Sequence, residues 1–283
     1  MAIADQQPLR LVELSVSEIA GTDHLFPDLF NDLRTGRLQA LLIHDVYSSS
    51  ECAQIIKRVE NADPGLLKTW FPEAFRSCFY GRNLNLTSPE QMYQYFEEAK
   101  LFSEQLDQVL PDQRGFTYLA QLLTRLDSGR PFVAAPGVRP NDCYMPTTLR
   151  QHLPGGYIPI HFDNEFMLRP SYTHLRSIAA GHIQSFVLAL SEATDGGELE
   201  IFQHQAPPLG EQLLSDDHHP SQDMPDIQYV PSIKLKIPSG SMAVFDSGRY
   251  LHRLTEVQGQ CDRWTLCSFM ALASVGNVNY CWG

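Results

Sequence analysis

The chain has 283 residues, 43% of them hydrophobic and 19% charged, which is enough apolar material for a large packed core and too much for wholesale disorder. Lys and Arg total 21 against 33 Asp and Glu, a formal net charge of -12 that argues against binding a nucleic-acid backbone. No apolar run approaches the roughly 18 residues of a membrane span. MAIADQQPLR lacks the basic start and apolar stretch of a secretory signal, so a cytoplasmic protein without nucleic-acid or membrane partners is expected.

The first third reads as mainly helical. Leu25, Leu29, Phe30 and Leu33 recur at helical spacing over 24–33, and Gly36 follows as a stop. Residues 38–46 (LQALLIHDV) form an apolar run suited to a buried strand. Over 50–62, Cys52, Ile55, Ile56 and Val59 again repeat with helical period. Ser88-Pro89-Glu90-Gln91 is a helix start, with Ser as cap, Pro at the first helical position and Gln three residues after the cap. It predicts a helix to about Val109. A further helix is expected over 116–126, closed by Gly129.

From Arg130 onward Pro and Gly punctuate short segments. Residues 157–162, 184–190, 198–202, 233–237, 241–245 and 264–272 read as strands, the pattern of a sandwich or barrel. Asp195-Gly196-Gly197 between two of them is a hairpin signal. Residues 204–226 are rich in Pro, Asp, Gln and Ser, and a loop of that length is usually functional, so it is expected to gain protection when substrate binds. The layout predicted is a mainly helical region over 1–129 packed on a catalytic core over 130–283, integrated as one domain. Cys52, Cys78, Cys143, Cys261, Cys267 and Cys281 include no CxxC pair, which argues for reduced thiols and against a structural zinc site.

The most informative fragment is His161-Phe162-Asp163. On a strand, side chains two apart share a face, so His161 and Asp163 can grip one metal ion together. Alone, such a pair is a weak signal. A third ligand must come from elsewhere, and His252 is the best candidate, because it follows the strand pattern 240–245 and the turn Asp246-Ser247-Gly248. Two imidazoles and one carboxylate on one face of a metal leave positions open, as in the non-haem Fe(II) oxygenases. Arg263 comes next, in Asp262-Arg263-Trp264-Thr265, where Thr265 shares its face if this is a strand. An Arg fork plus a hydroxyl among apolar neighbours suits a buried carboxylate.

HxD, then His, then Arg-x-Thr resembles the Fe(II)/2-oxoglutarate-dependent oxygenases, and the longer stretches resemble the cyanobacterial WelO5-type enzymes that halogenate isonitrile-bearing indole alkaloids as free small molecules. Those stretches are Tyr144-Met145-Pro146-Thr147-Thr148-Leu149-Arg150 leading into His161-Phe162-Asp163-Asn164-Glu165-Phe166, then Gly196-Gly197-Glu198-Leu199, and Gly240-Ser241 through Leu251-His252-Arg253-Leu254-Thr255 to Arg263-Trp264-Thr265. Together they cover most of 144–272. The resemblance implies a mostly β fold with flanking helices, a double-stranded β-helix or jelly roll. It implies Fe(II) bound by His161, Asp163 and His252, with 2-oxoglutarate and O2 as co-substrates and succinate and CO2 as co-products. The distal carboxylate of 2-oxoglutarate would pair with Arg263 and accept from Thr265.

One departure matters. The halogenating members carry Gly where this chain has Asp163, and the missing carboxylate leaves room for chloride. With Asp163 present, the resemblance implies scaffold kinship with a halogenase but hydroxylation of an aliphatic carbon of a small specialised metabolite. Desaturation or ring formation would use the same site, and a cupin-like metal-binding protein without turnover is the alternative class. Other residues keep more than one reading. Arg150 reaches either the iron-proximal carboxylate, the substrate, or a structural salt bridge. Asn164 orients a ligand or is a plain polar residue. Glu165 faces solvent or a polar substrate. Phe162 and Phe166 serve the core or the pocket wall, as do Tyr93, Tyr95 and Phe96. His218 and His219, beside Asp216 and Asp217, are a metal site or a solvated loop.

Overall fold

The computed structural model describes residues 8–21, 29–62, 65–110, 115–206 and 226–283. Before residue 130 it has strands β1 (Leu11–Ser15), β2 (Ala40–His44), β3 (Lys68–Trp70) and β4 (Ser77–Tyr80). The same stretch carries helices α1 (Val16–Gly21), α2 (Leu29–Arg34), α3 (Ser49–Glu60), α4 (Met92–Val109) and α5 (Phe116–Leu126). Then follow β5 (Phe132–Ala134), β6 (Thr148–His152), β7 (Ile158–His161), α6 (Thr173–Ile178), β8 (Ala179–Ala189), β9 (Asp195–Gly196) and β10 (Leu199–Gln205). The chain ends with β11 (Ser232–Leu235), β12 (Met242–Phe245), β13 (Tyr250–Leu254), β14 (Val257–Gln258), β15 (Arg263–Ala273) and β16 (Asn279–Trp282).

One large sheet runs in the order β1-β2-β12-β8-β15-β6-β4-β3, with β16 beside β15 and β5 beside β16. A second has the order β11-β10-β13-β7. Pairing is antiparallel apart from β1 with β2 and β5 with β16. The two sheets share an apolar layer made of Ala40, Leu42, Ala243 and Phe245 from the large sheet and Leu199, Ile201, Leu235 and Tyr250 from the small one. This is the jelly roll, mostly β with helices at its flank.

Alternation along β2 explains why 38–46 reads as a continuous apolar run. Ala40 and Leu42 face the second sheet, while Leu41 and Ile43 join a larger cluster with Ile55, Phe102, Leu106, Leu119 and Leu123 of the helices. A sheet covered on both faces needs apolar residues at every position. Capping sets where the helices begin. Ser48 and Glu51 form a reciprocal capping box at α3, with the Glu51 carboxylate accepting from the Ser48 amide at 2.7 Å. Ser88 and Gln91 form another at a 3-10 turn, Pro89–Gln91, that leads into α4.

The structure differs from the sequence reading at several points. Asp195-Gly196-Gly197 does not close a hairpin. The strands around it, β8 and β10, lie in different sheets, and β9 pairs with β14. Gly196 and Gly197 both have φ of +64°, so they turn the chain from one sheet to the other at a conformation that disfavours other residues. His252 does follow β12 and the turn at 246–248, and it lies in a further strand, β13, that the sequence did not show. Of the loop at 204–226, residues 207–225 fall outside the described residues, as do His218, His219, Asp216 and Asp217; so do 24–28 of the helix expected over 24–33. All six cysteines are free thiols. No helix among the described residues is long and apolar enough to cross a membrane.

Leu123 of α5 is fully buried in the shared cluster. Leu123→Ala should cost about 2–5 kcal/mol. We expect this loss to shift a single urea transition of the whole chain, since the helices bury the outer face of the large sheet. A separate early transition in the variant would mean that the helical layer unfolds on its own.

Candidate metal centre

β7 ends at His161, and Asp163 opens a 3-10 helix, Asp163–Leu168. The strand reading of HxD therefore fails at its last residue. Phe162 between them is nevertheless extended, with φ -114° and ψ 136°, so the two side chains still leave the backbone on the same side. His252 of β13 pairs directly with His161 of β7 across the small sheet. One ligand atom from each of His161, Asp163 and His252 lies within 4.8 Å of the others. His161 Nε2 is 3.2 Å and His252 Nε2 is 3.7 Å from Asp163 Oδ1.

The remaining atoms of these side chains are committed elsewhere. His161 Nδ1 lies 2.8 Å from the Pro159 carbonyl and His252 Nδ1 lies 3.0 Å from the Tyr250 carbonyl. A carbonyl only accepts, so each Nδ1 carries the proton and each Nε2 presents a lone pair. Asp163 Oδ2 accepts from Ser185 Oγ at 2.8 Å, and Ser247 Oγ lies 2.7 Å from Ser185 Oγ. Oδ1 is thus the oxygen turned toward the two imidazoles. Two neutral nitrogen donors and one carboxylate oxygen, each fixed by a second partner, fit a divalent non-haem iron with open positions on its other side.

The electrostatics favour an ionised Asp163 and a neutral His252, while Asp163 draws a proton to His161 that a bound metal would displace. Burial favours a neutral Asp163, but the charge of His252 and the hydrogen bond and charge of His161 outweigh it and hold the carboxyl down at about 2. Burial, then repulsion from His161, pushes His252 down to about 4. For His161 the pull of Asp163 overcomes burial and raises it. Ser185 and Ser247 were not legible as site residues. Ser247 stands in the turn 246–248, and only the folded chain brings it and β8 to Asp163.

The donors line a cavity of about 410 Å3 between the sheets. Phe75, Phe79, Phe166 and Phe269 supply much of its apolar wall. Phe166 stacks obliquely near His161 at 5.7 Å between ring centroids and meets Phe269 at 5.8 Å. Phe162, by contrast, is core, packed with Phe202, Ala206 and Leu251. Tyr95 and Phe96 are also core, while Tyr93 is exposed under the Arg139 guanidinium. Asn164 ties the 3-10 helix to β8 through His182 Nδ1 at 2.9 Å and the Ile183 amide at 3.1 Å, and it makes no bond to a donor residue.

Arg263 and Thr265 both lie on β15 and both line the cavity. Arg263 is buried and makes no hydrogen bond or ion pair to any described residue. Burial, with the like charge of Arg150, lowers it to about 10. Its stem needs room, since a Cβ on Gly197 would sit 3.0 Å from Arg263 Cδ. The thiol of Cys267 donates to Thr265 Oγ1 at 3.4 Å, which leaves the Thr265 hydroxyl proton free to donate into the cavity. Arg150 pairs in register with Thr265 and lies 4.5 Å from the Phe79 ring centroid. It forms no salt bridge with any described residue, and its Nε is buried without a partner among them. Glu165 lines the cavity beside the metal donors, where burial raises its carboxyl against the pull of His161.

A model of the family described as carrier-protein-independent halogenase WelO5 matches residues 8–283. No curated protein matches at a significant level. Among solved structures, the chain is similar to an N-substituted L-amino acid dioxygenase from Burkholderia ambifaria AMMD, with a TM-score of 0.56, 12% identity and 89% of each chain covered. A second structure with that name and source, in complex with alpha-KG, gives a TM-score of 0.53, 11% identity and 90% coverage of each chain. At such identities the likeness concerns the fold.

Proposed function

The chain belongs to the WelO5 family, and we propose that within it this protein is an Fe(II)/2-oxoglutarate-dependent oxygenase that hydroxylates an aliphatic carbon of a free small molecule. The observation that carries this reading is Asp163 Oδ1 turned to the same point as the Nε2 atoms of His161 and His252, with Oδ2 anchored by Ser185. His161, Asp163 and His252 would hold the iron. Bound there with 2-oxoglutarate and O2, it supplies the oxidising power for C–H hydroxylation, with succinate and CO2 as co-products.

The rest is positioning by the chain itself. Arg263 and Thr265 hold the distal carboxylate of the co-substrate, and the Ser185–Ser247 pair keeps the Asp163 carboxylate from rotating. The phenylalanine wall excludes water and seats an apolar substrate. A metal-binding protein without turnover has no use for a buried arginine that lines the donors' cavity with no partner among the described residues, which favours the enzyme. The test is oxygen-dependent succinate formation from 2-oxoglutarate with and without candidate substrates. Absence of any succinate from the iron-loaded protein sinks the reading.

Halide chemistry gives a sharper expectation. Asp163 fills the place a chloride needs, so turnover in abundant chloride should give hydroxylated product alone. Asp163→Gly vacates that place, yet it should yield at best traces of chlorinated product, because the cavity wall still sets where the reacting carbon lies. Mass spectrometry of both reactions decides this, and chlorinated product from the unmodified protein overturns Asp163 as a metal ligand.

A further inference from the structure

Three side chains on adjacent strands of the large sheet stand in one row on the wall of the cavity that the metal donors also line. Arg263 of β15 pairs in register with His152 of β6, and His152 pairs with Ser77 of β4. All three are buried and all three line the cavity. Directly cross-strand neighbours have Cβ atoms about 4.5–5.5 Å apart, so their polar ends converge on one small volume. None is satisfied by a described residue. Both ring nitrogens of His152 and the Ser77 hydroxyl are buried without a hydrogen-bond partner among them, and Arg263 has no ion pair among them either.

Buried polar groups left unpaired cost free energy, and three of them in contact register are hard to explain as packing. Their chemistry is one-sided. Burial and the charges of Arg263 and Arg150 keep His152 neutral, with one N–H to donate. Ser77 offers an O–H and Arg263 a fork of N–H groups. The carboxylates lining the cavity, Asp163 and Glu165, both lie at the metal end. The row is therefore a donor pocket for a planar anion with several lone pairs.

We infer that His152 and Ser77, together with Arg263, form the seat of the distal carboxylate of 2-oxoglutarate, making His152 and Ser77 positioning residues that set the choice of a dicarboxylate. This rests on the proposed co-substrate. His152 would donate to one carboxylate oxygen while the Arg263 fork takes the other, and Ser77 closes the far side. Thr265, one row nearer the Arg150 guanidinium, donates from the next position along β15.

The test is binding, read by calorimetry on the iron-loaded protein under anaerobic conditions. Two ligands are compared, 2-oxoglutarate and 2-oxopentanoate, which has the same chain length but no distal carboxylate. His152→Leu should weaken 2-oxoglutarate roughly tenfold to a hundredfold, the scale of a lost hydrogen bond to a charged group. Ser77→Ala, a milder change to the core, should weaken it several-fold. His152→Gln, which restores a donor, should recover most of the loss, and 2-oxopentanoate should bind all variants alike. Unchanged 2-oxoglutarate affinity in both His152→Leu and Ser77→Ala overturns the inference, as does an equal loss for both ligands. If the unmodified protein binds no 2-oxoglutarate at all, the co-substrate reading falls and takes this seat with it.

Discussion

Asp163→Ala and His252→Ala should each leave a folded protein that no longer holds iron at stoichiometric occupancy and no longer turns over. Among the described residues three donors converge on the site, and each supplies the single atom aimed at it. Outer partners such as Ser185 typically account for about ten- to a hundredfold in metal affinity, and loss of a direct ligand exceeds that. The fold should survive Asp163→Ala, because the atoms it abandons are already tied together. Ser185 and Ser247 still bond each other, and the Asp163 backbone amide keeps its bond to the Ser247 carbonyl at 3.0 Å. Ser185→Ala is the graded control, with weaker iron binding but measurable turnover. Metal analysis and substrate-dependent succinate formation check the set. Normal turnover with full iron occupancy in either ligand variant removes that residue from the centre.

Much of this centre was legible in the chain because it depends on short-range rules. HxD works through one extended residue, Phe162, whatever element follows it. Ser88 and Gln91 announce a helix start through bonds made within three residues. Arg263 and Thr265 share a face through strand alternation alone. What was not legible depends on register between distant segments. Ser77, His152 and Arg263 form one row only because β4, β6 and β15 pair as they do, and a shift of one residue in β6 would turn His152 to the helical side. Ser185 and Ser247 belong to β8 and a turn that meet Asp163 only in the closed jelly roll. The double glycine at Gly196 and Gly197 misled for a related reason. A positive φ marks a sharp change of direction but does not say whether the chain returns to its own sheet or crosses to the other.

Arg263→Gln should raise the 2-oxoglutarate requirement steeply and leave iron binding nearly unchanged. Removing one partner of a desolvated charge pair typically costs about 2–5 kcal/mol, or roughly thirtyfold to several-thousandfold in affinity. Iron should be spared, because Arg263 makes no bond to His161, Asp163 or His252 and sits on the opposite sheet from the two histidines. The sign of the stability change separates this role from a structural one. A structural arginine would destabilise the protein on removal. Arg263 instead carries a buried charge with no counter-ion among the described residues, and burial already lowers it to about 10. Taking it away should therefore leave the ligand-free protein as stable as before or more so. The unmodified protein should gain about 2.7 kcal/mol at a 2-oxoglutarate concentration 100 times its dissociation constant, and Arg263→Gln should gain less than about 1 kcal/mol at that same concentration. Arg263→Lys keeps the charge but loses the fork, so it should fall between them. Thermal unfolding with and without 2-oxoglutarate reads all three proteins, and an undiminished ligand-induced shift in Arg263→Gln would place the distal carboxylate on another partner.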